Sequence, residues 1–146
     1  MPYKNVVITP TRYSQQHNDQ TSQFYRGFST VDETKISPKL FDYELVKQDI
    51  INQFNTRKGE RVMNPEFGTI IWELLFDPLT DELKQAVVDD VNRILQADPR
   101  AIPVQVNLTE ANYGLLLECT LSFVTTNQVD TLRLSFDKEI GLIVQQ

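Results

Sequence analysis

The sequence predicts an α+β fold in which N-terminal helices pack on a C-terminal antiparallel meander of three strands, or of four if the C-terminal tail joins it. Apolar residues recur every three or four positions between residues 37 and 98, and this is the period of an amphipathic helix. From residue 102 onward they alternate singly, as in a strand, and short polar turns separate the alternating segments. Strands joined by such turns pair antiparallel, which leaves one face of the meander for the helices to cover.

The composition divides the chain into three parts. Residues 1–36 are rich in Gln, Ser, Thr and Asn and hold no sustained period. They are either a disordered leader or an arm that orders on a partner, and we favour the arm because five aromatic residues are many for a spacer. Residues 37–137 form the predicted single α+β domain. Residues 138–146 form a C-terminal tail, which is either a fourth strand or a sticky extension.

The first helix is predicted to begin at Ser37 and Pro38, a capping hydroxyl followed by proline at the first helical position. Gly59 is its expected end, with Arg57 and Lys58 near the last turn, where cations suit the helix dipole. The helix carries one apolar stripe at spacings of three and four, formed by Tyr43, Val46, Ile50 and Phe54.

Two more helices are predicted from the same signals. The run Asn64-Pro65-Glu66 repeats the start pattern for a short apolar helix, in which Trp72 is interpreted as a core residue, and Asp77-Pro78 ends it. Thr80 caps the third helix, and Asp98-Pro99 ends that one. The two apolar stripes are Phe67, Ile70, Ile71, Leu74 and Leu75, and then Leu83, Val87, Val91, Ile94 and Leu95.

The predicted meander consists of three alternating runs. Leu116 and Val124 add apolar residues to the second face of the middle run, so we expect the middle strand to be buried on both faces. The apolar residues expected to share one face are, run by run, Ile102, Val104, Val106 and Leu108; Leu115, Leu117, Cys119, Leu121 and Phe123; and Leu132, Leu134 and Phe136.

Charge and residue usage exclude several classes of function. Lys and Arg number 14 against 20 Asp and Glu, for a net charge of −6, whereas a nucleic-acid binder needs a concentrated basic surface. No apolar run approaches the roughly 18 residues of a membrane span. The chain has one His and one Cys, so a disulfide within the chain is impossible. A zinc site built from this chain alone is nearly excluded, because zinc needs three or four Cys, His or carboxylate ligands. We therefore predict no cofactor, no metal, no nucleic-acid partner and no membrane partner, with His17 solvated and Cys119 packed in the core.

Four carboxylates near the end of the second predicted helix form the one pattern that suits an enzyme. Glycoside hydrolysis uses two carboxyl groups, one of which apolar surroundings keep protonated, and Glu73 beside Trp72 fits that description. The alternative is a capped helix boundary, with acids in the first turn of the next helix, where the dipole favours them. We favour the boundary and predict no enzymatic activity. The four residues are Glu73, Asp77, Asp81 and Glu82.

The run from Thr56 to Gly68 packs two glycines, three basic residues and an Asn-Pro pair between two predicted helices, which is typical of an ordered turn. The basic residues either bind an acidic or phosphate group or are ordinary helix-end charges. Further along, Leu74–Pro78 is an apolar segment in which Asp77-Pro78 ends the second predicted helix, and Asp98-Pro99-Arg100 ends the third. The residues of the turn that we single out are Arg57, Lys58, Gly59, Arg61, Asn64, Pro65, Glu66, Phe67 and Gly68.

In this order the three motifs resemble the signature of the sheath-initiator wedge family of contractile phage tails. That family includes the gene-twenty-five wedge protein of T-even-type phages, described as lysozyme-like, and the TssE baseplate component of type VI secretion. The likeness spans roughly residues 37–137. Asp98 stands where the family favours Glu in a Glu-Pro-Arg motif, so the charge is kept and the reach is one methylene shorter.

The resemblance implies a structural component of the tail baseplate wedge, found in the virion and assembled in the host cytoplasm. Asp98, Pro99 and Arg100 would contact the helical bundle of the other wedge proteins, and the strands would template the tail sheath protein by strand addition at a sheet edge. Two points stay open, namely whether Asp98 and Arg100 instead form an internal salt bridge and which sheet edge is free. The competing function is a carboxylate-based peptidoglycan hydrolase for host-wall penetration, which would need Glu73 or Asp81.

Overall fold

Two antiparallel sheets and three helices make up residues 25–29 and 39–145, which are the residues that this computed structural model describes. A small sheet pairs the first two strands, and a larger sheet holds the other four strands in chain order. The elements are β1 (Arg26–Phe28), β2 (Lys39–Phe41), α1 (Asp42–Asn55), α2 (Ile71–Leu74), α3 (Asp81–Ala97), β3 (Ala101–Ala111), β4 (Gly114–Phe123), β5 (Gln128–Asp137) and β6 (Gly141–Gln145). The α+β class is as predicted.

The meander has four strands, so the count of three is wrong, and the tail is a fourth strand, which is one of the two alternatives given for it. β6 pairs antiparallel with the second half of β5, from Arg133 to Asp137. The turn between them is tight, since the Asp137 carboxylate accepts hydrogen bonds from the backbone N–H groups of Glu139 and Ile140 at 2.8 and 3.0 Å. Gly141 completes the turn at φ +97°, a conformation that favours glycine.

The first helix begins later than predicted, at Asp42, because Lys39–Phe41 is a strand that pairs with β1. The backbone N–H of Asp42 donates to the Tyr25 carbonyl, and the Asp42 carboxylate accepts from the Tyr25 N–H. These two hydrogen bonds hold the β1 segment against the start of α1. The predicted cap residues Ser37 and Pro38 lie outside the described residues, as do His17 and the aromatic residues Tyr3, Tyr13 and Phe24.

The first helix also ends earlier than predicted, at Asn55, so Arg57 and Lys58 lie beyond its last turn. Thr56 turns back on the helix, its hydroxyl donating to the Asn52 carbonyl at 2.8 Å. Arg57 then pairs with Thr69 in an isolated parallel bridge, which pulls the chain out of helical geometry before Gly59 is reached. The predicted stripe is confirmed: Val46, Ile50 and Phe54 are buried, and Tyr43 packs edge-on against Phe123.

The second predicted helix is mostly wrong, because only Ile71–Leu74 is helical. The segment from Asn64 to Phe67 forms successive turns in place of helix, with Phe67 N donating to Asn64 O at 3.1 Å. Gly68 follows at φ +107°, which no right-handed helix accommodates. Trp72 is a core side chain as predicted: its ring packs edge-on against Phe136, and its Nε1 donates to Phe54 O at 2.9 Å.

The third predicted helix is confirmed. Thr80 caps α3, because its hydroxyl accepts from Leu83 N at 3.3 Å, and the helix ends at Ala97, with Asp98 next. Four residues of its predicted stripe are buried, namely Val87, Val91, Ile94 and Leu95. These residues face the inner side of the larger sheet together with the α1 stripe.

A β-bulge overturns the prediction that Ile102, Val104, Val106 and Leu108 share one face. The register of β3 against β4 shifts between Pro103 and Gln105, so Val104 is an extra residue and the alternation reverses there. Ile102 and Val104 are therefore 56% and 63% exposed, whereas Val106 and Leu108 pack against the core.

The other two strands show the predicted alternation. In β4 every second residue from Leu115 to Phe123 is buried, and in β5 the buried residues are Leu132, Leu134 and Phe136. The expectation that β4 is buried on both faces is wrong, because Leu116 is only half-buried and Val124 is 51% exposed. Cys119 is a core thiol as predicted, and burial raises its pKa to about 12, so it stays protonated.

Candidate partner-binding site

Arg100 lies where α3 ends and β3 begins, and it joins two carboxylates from different parts of the chain. Its Nε and Nη2 donate to the two oxygens of Asp98 at 2.9 and 2.7 Å. Nη2 also donates to Asp49 Oδ2 on α1 at 2.9 Å. We call Asp49, Asp98 and Arg100 the Arg100 cluster. It ties the end of α3 to the middle of α1.

The backbone around Pro99 holds the Arg100 cluster in place. Asp98 Oδ1 accepts from the backbone N–H of Arg100 at 3.0 Å, and the Arg100 carbonyl accepts from Val124 N at 3.0 Å. Pro99 itself is exposed at the turn. The side-chain bond from Arg100 holds the pKa of Asp98 below its usual range, although partial burial opposes that shift. The two carboxylates raise the pKa of Arg100, so both partners are charged at neutral pH.

The internal salt bridge that the sequence left open is therefore present. It does not use every donor, because among the described residues Arg100 Nη1 has no hydrogen-bond partner. The Arg100 side chain is 24% exposed, so its guanidinium is only partly covered. The Tyr25 ring centroid lies 5.6 Å from the guanidinium carbon and covers one side of the cluster.

The predicted signature turn is an ordered loop, as its glycine and proline content indicates. We call residues 56–69 the signature loop. Its two ends are joined by the backbone bonds Thr69 N to Thr56 O at 3.0 Å and Lys58 N to Thr69 O at 3.1 Å. Further in, Gly59 N donates to Pro65 O at 2.8 Å, and Lys58 Nζ pairs with Glu66 at 3.2 Å.

Asp90 and Arg93 of α3 anchor the signature loop. Asp90 is 7% exposed, and its Oδ2 accepts from the Thr69 hydroxyl and from Ile70 N at 2.8 and 3.0 Å. Its Oδ1 accepts from Arg93 Nε and Nη2 at 3.0 and 2.7 Å. Arg93 in turn donates to the carbonyls of Glu66 and Gly68 at 3.1 and 2.9 Å. The carboxylate thus accepts four hydrogen bonds.

The sequence interpretation missed both anchoring residues, although a signal was present. Asp90 is three residues after Val87 and four before Ile94, so it falls within the buried stripe of α3. A carboxylate at an inward helical position requires a compensating partner, because burying an unpaired charge is costly. Arg93 is the nearest cation on the same face, three residues later.

The two glycines of the signature loop differ in what surrounds them. Gly68 has φ +107°, and a Cβ there would lie 2.6 Å from Thr56 O and 2.7 Å from Arg57 O. Gly59 has φ +83°, and a Cβ there would have no heavy atom within 4 Å. Backbone conformation alone explains Gly59, whereas Gly68 also permits the close approach of the two loop ends.

The signature loop and the Arg100 cluster are both attached to α1, since the loop follows the last residue of the helix and the cluster includes Asp49. Asp49 and Asn55 are six residues apart on α1, which is about 9 Å at 1.5 Å per residue. The structure thus joins Asp98, Pro99 and Arg100 in one cluster, and it gathers the signature residues from Arg57 to Gly68 in a separate loop nearby.

The four carboxylates considered for hydrolysis do not form a shielded pair. Glu73, Asp77, Asp81 and Glu82 are all exposed. Trp72 turns inward to the core and so does not cover Glu73. A glycosidase acid needs apolar surroundings that keep it protonated, and these residues lack them. The described residues also contain no group of three or more His, Cys, Asp or Glu side chains that could hold a metal ion.

The larger sheet has two outer edges, and they differ in chemistry. β3 bears Pro103, which has no N–H to donate, and the bulge at Val104. β6 contains only Gly, Leu, Ile, Val and Gln, and it covers β5 only from Arg133 onward, so no strand of the described part of the chain pairs with Gln128–Leu132 on that side. Among the described helices, none is long and apolar enough to cross a membrane.

Comparison with known proteins gives one family match and several structural matches. The family described as "Baseplate wedge protein gp25" matches residues 42–128, which include the signature loop, α3 and most of the meander. A crystal structure of a presumed tail lysozyme from Geobacter sulfurreducens is 26% identical, with a TM-score of 0.53 over 66% of this chain and 95% of that chain. Among proteins of curated function, none matches the sequence.

The cryo-EM structure of the post-contraction baseplate of pyocin R2 contains a chain with the same fold. It is 21% identical, with a TM-score of 0.50 over 78% of this chain and 99% of that chain. The ordered loop, the capped long helix and the antiparallel meander all lie within or overlap the segment that the family match covers. The chain therefore belongs to the family of the baseplate wedge protein gp25, and it is a structural protein of a phage-tail baseplate.

Proposed function

We propose that this wedge protein binds the helical bundle of the other wedge proteins through the Arg100 cluster and templates polymerisation of the tail sheath protein by strand addition. The observation that carries the first part is that Nη1 of Arg100 has no hydrogen-bond partner among the described residues. Asp98 and Asp49 fix the orientation of the guanidinium plane, and Nη1 still has its donors available. A pre-oriented donor loses little entropy when a partner binds it.

The charge of the Arg100 cluster indicates what a partner offers. One guanidinium and two carboxylates give a local net charge of −1, so a further carboxylate from the partner would be repelled. Carbonyl oxygens at the C-terminal end of a helix are acceptors without a full charge, and several are unpaired there. We therefore propose that Arg100 binds the carbonyl end of a bundle helix, with Pro99 exposed beside it.

For the sheath, the chemistry of the two sheet edges favours the β6 side. An added strand needs unpaired N–H and C=O groups in a row, and proline or a bulge interrupts that row. The β6 edge contains neither, and the uncovered Gln128–Leu132 segment of β5 continues it. The β3 edge has both interruptions in its first half. This choice of edge was left open by the sequence.

Two variants separate binding by Arg100 from its internal role. Asp49→Asn weakens the link from Arg100 to α1 and leaves Nη1 in place. Arg100→Gln removes the donor that the partner would use. We expect Arg100→Gln to reduce co-purification of the wedge proteins and recovery of sheath-capped baseplates at least tenfold, whereas Asp49→Asn retains most of both.

Thermal unfolding of the two purified variants supplies the control. Similar melting temperatures with different assembly support binding by Arg100. If assembly falls only in proportion to the loss of stability in both variants, Arg100 is an internal staple and the binding proposal is wrong. A proline substitution at Ile143 in β6, compared with one at Thr109 in β3, tests the chosen edge by sheath recovery on assembled wedges.

Peptidoglycan hydrolysis has less support, because its carboxylates are exposed and unshielded. The description of the Geobacter sulfurreducens relative as a presumed tail lysozyme keeps it testable. We expect the purified protein to release no soluble fragments from peptidoglycan at high concentration. Turnover that Glu73→Gln abolishes, in a variant that still assembles, would instead establish the enzyme.

A further inference from the structure

The tip of the signature loop presents two apolar side chains that contribute nothing to the fold. Val62 and Met63 are 94% and 96% exposed, the highest values among the exposed large hydrophobic residues of the described chain. They sit in a turn closed by the bond from Asn64 N to Arg61 O at 3.2 Å. Isolated exposed apolar residues are ordinary, but two adjacent ones at full exposure form a small contact surface.

The base of this tip is firmly held. The guanidinium carbon of Arg61 stacks 3.7 Å from the centroid of the Phe67 ring, across the turn. Below it, Gly59 N bonds Pro65 O, and Lys58 pairs with Glu66. A tip on such a base is presented in one conformation, so burying it in a partner costs little conformational entropy.

The charges around the tip indicate the chemistry of what it meets. Neither Arg57 nor Arg61 has a carboxylate partner among the described residues. The acids of the loop are engaged, since Glu60 accepts from Arg57 N at 2.9 Å and Glu66 pairs with Lys58. The hydrogen bond to Glu60 comes from a neutral backbone N–H and leaves the charge of that carboxylate in place. With Arg57, Lys58 and Arg61 against Glu60 and Glu66, the signature loop has a net charge of +1 on a chain whose net charge is −6.

We propose that Val62 and Met63 form a docking knob that inserts into an apolar pocket of a protein partner, with a carboxylate on the pocket rim facing Arg61, the cation next to the tip. Methionine adapts its shape to an irregular pocket, and paired rim charges orient the knob. An anionic membrane is the less suitable target, because it repels a chain of charge −6 and rewards polybasic clusters. This surface is separate from the Arg100 cluster and does not depend on it.

A photo-cross-linking amino acid at position 63 identifies the partner directly. We introduce benzoylphenylalanine by Met63→benzoylphenylalanine into the full chain in particle-producing cells, irradiate, and map cross-linked peptides by mass spectrometry. A matched control carries the same group at Ile140, which is 74% exposed at the turn between β5 and β6. We expect one protein partner at position 63, cross-linked at an apolar segment flanked by Asp or Glu, and a different pattern at position 140.

Other outcomes overturn the knob. The knob is wrong if position 63 cross-links to a second copy of this chain. It is also wrong if position 63 gives no cross-link in particles that contain the protein. The baseplate role would stand in either case. A specific acidic-rimmed partner outside particles would support the knob and contradict the proposed role in wedge and sheath assembly. The absence of both assembled particles and cross-links would contradict both proposals. If the purified protein binds phosphatidylglycerol vesicles through the tip, the target of the tip is a membrane and the proposal of a protein partner is wrong.

A substitution pair measures the contribution of the knob. We expect Val62→Ser with Met63→Ser to reduce co-purification of the cross-linked partner at least tenfold, and Ile140→Ser to change it less than twofold. The melting temperature of the double variant should match that of the wild type, because both side chains lie in solvent. A retained partner with the double variant would show that the tip is not the docking surface.

Discussion

The signature loop and the Arg100 cluster each depend on an aspartate and an arginine close together in the chain, Asp90 and Arg93 within α3 and Asp98 and Arg100 just after it, but the two pairs are used differently. In the loop, the Asp90 side chain is 5% exposed and accepts four hydrogen bonds from the chain itself. In the cluster, Arg100 and Asp49 are 24% and 43% exposed, and Nη1 has no partner among the described residues. A buried carboxylate whose hydrogen bonds are all made within the chain fixes the backbone, whereas a partly buried arginine with a spare donor can still bind another protein.

The largest expected effect comes from closing the space at Gly68. Gly68→Ala places a Cβ against the carbonyl oxygens of Thr56 and Arg57 and also requires φ +107°. Backbone oxygens cannot rotate away as a side chain can, so we expect a loss of about 4 kcal/mol in the free energy of unfolding. Chemical denaturation of the purified variant measures it.

Gly59→Ala is the matched control, because its φ is also positive but nothing surrounds it. We expect a loss of about 1 kcal/mol there, from the backbone conformation alone. Equal losses of unfolding free energy at the two glycines would show that the Cβ at position 68 meets no steric barrier. The close approach of the loop ends would then not require glycine.

The second effect tests the Asp90–Arg93 pair. Asp90→Ala leaves the Thr69 hydroxyl, Ile70 N and the Arg93 guanidinium without their acceptor. We expect a loss of about 3 kcal/mol, and faster amide hydrogen exchange in the signature loop than in α1. Asp89→Ala, on the exposed side of the same helix, should change stability by less than about 0.5 kcal/mol. Unchanged exchange in the loop of Asp90→Ala would show that other contacts hold it.

How far the sequence predicted these regions depended on whether the signal was local. Thr80 caps α3 and the stripes of α1 and α3 are buried as expected, since period and caps are set within a few residues. The short α2 was overestimated, because Gly68 and the bridge from Arg57 to Thr69 override the Asn64-Pro65 start signal. The bulge at Val104 reversed one face of β3, and alternation alone carries no sign of an inserted residue.

The candidate site shows the same limit. The motif Asp98-Pro99-Arg100 was singled out from the sequence, but Asp49, 51 residues earlier than Arg100, was not. Asp90 and Arg93 were overlooked because their partners are loop carbonyls and a hydroxyl brought near only by folding. Contacts between distant segments do not change the spacing of apolar residues in the sequence. The one local sign of such a contact is a charged residue within an apolar stripe, because it needs a partner.

The smallest effect is a pH dependence that belongs to the Arg100–Asp98 pair. Arg100 lowers the folded-state pKa of Asp98, so between the folded and unfolded pKa values the native state binds fewer protons than the unfolded state. The stabilisation is therefore fully present above the unfolded pKa, about 3.9, and is lost as the pH falls through the lowered folded value. Asp98→Asn removes this contribution, so unfolding free energy measured from pH 2 to 6 should fall less steeply with acid than in the wild type.

Two other carboxylates contribute to the same window and provide the comparison. Lys47 lowers the pKa of Asp130, and the turn N–H groups of Ile140 and Glu139 lower that of Asp137. Asp130→Asn should therefore also make the unfolding free energy fall less steeply with acid, and we call this fall the acid limb. Arg100→Gln should flatten the acid limb as much as Asp98→Asn does, because the substitution removes the cause of the Asp98 pKa shift. If Arg100→Gln leaves the acid limb as steep as in the wild type, the Arg100–Asp98 pair is not formed in solution. The spare donor of Arg100 would then lack the fixed orientation on which binding to the wedge bundle depends.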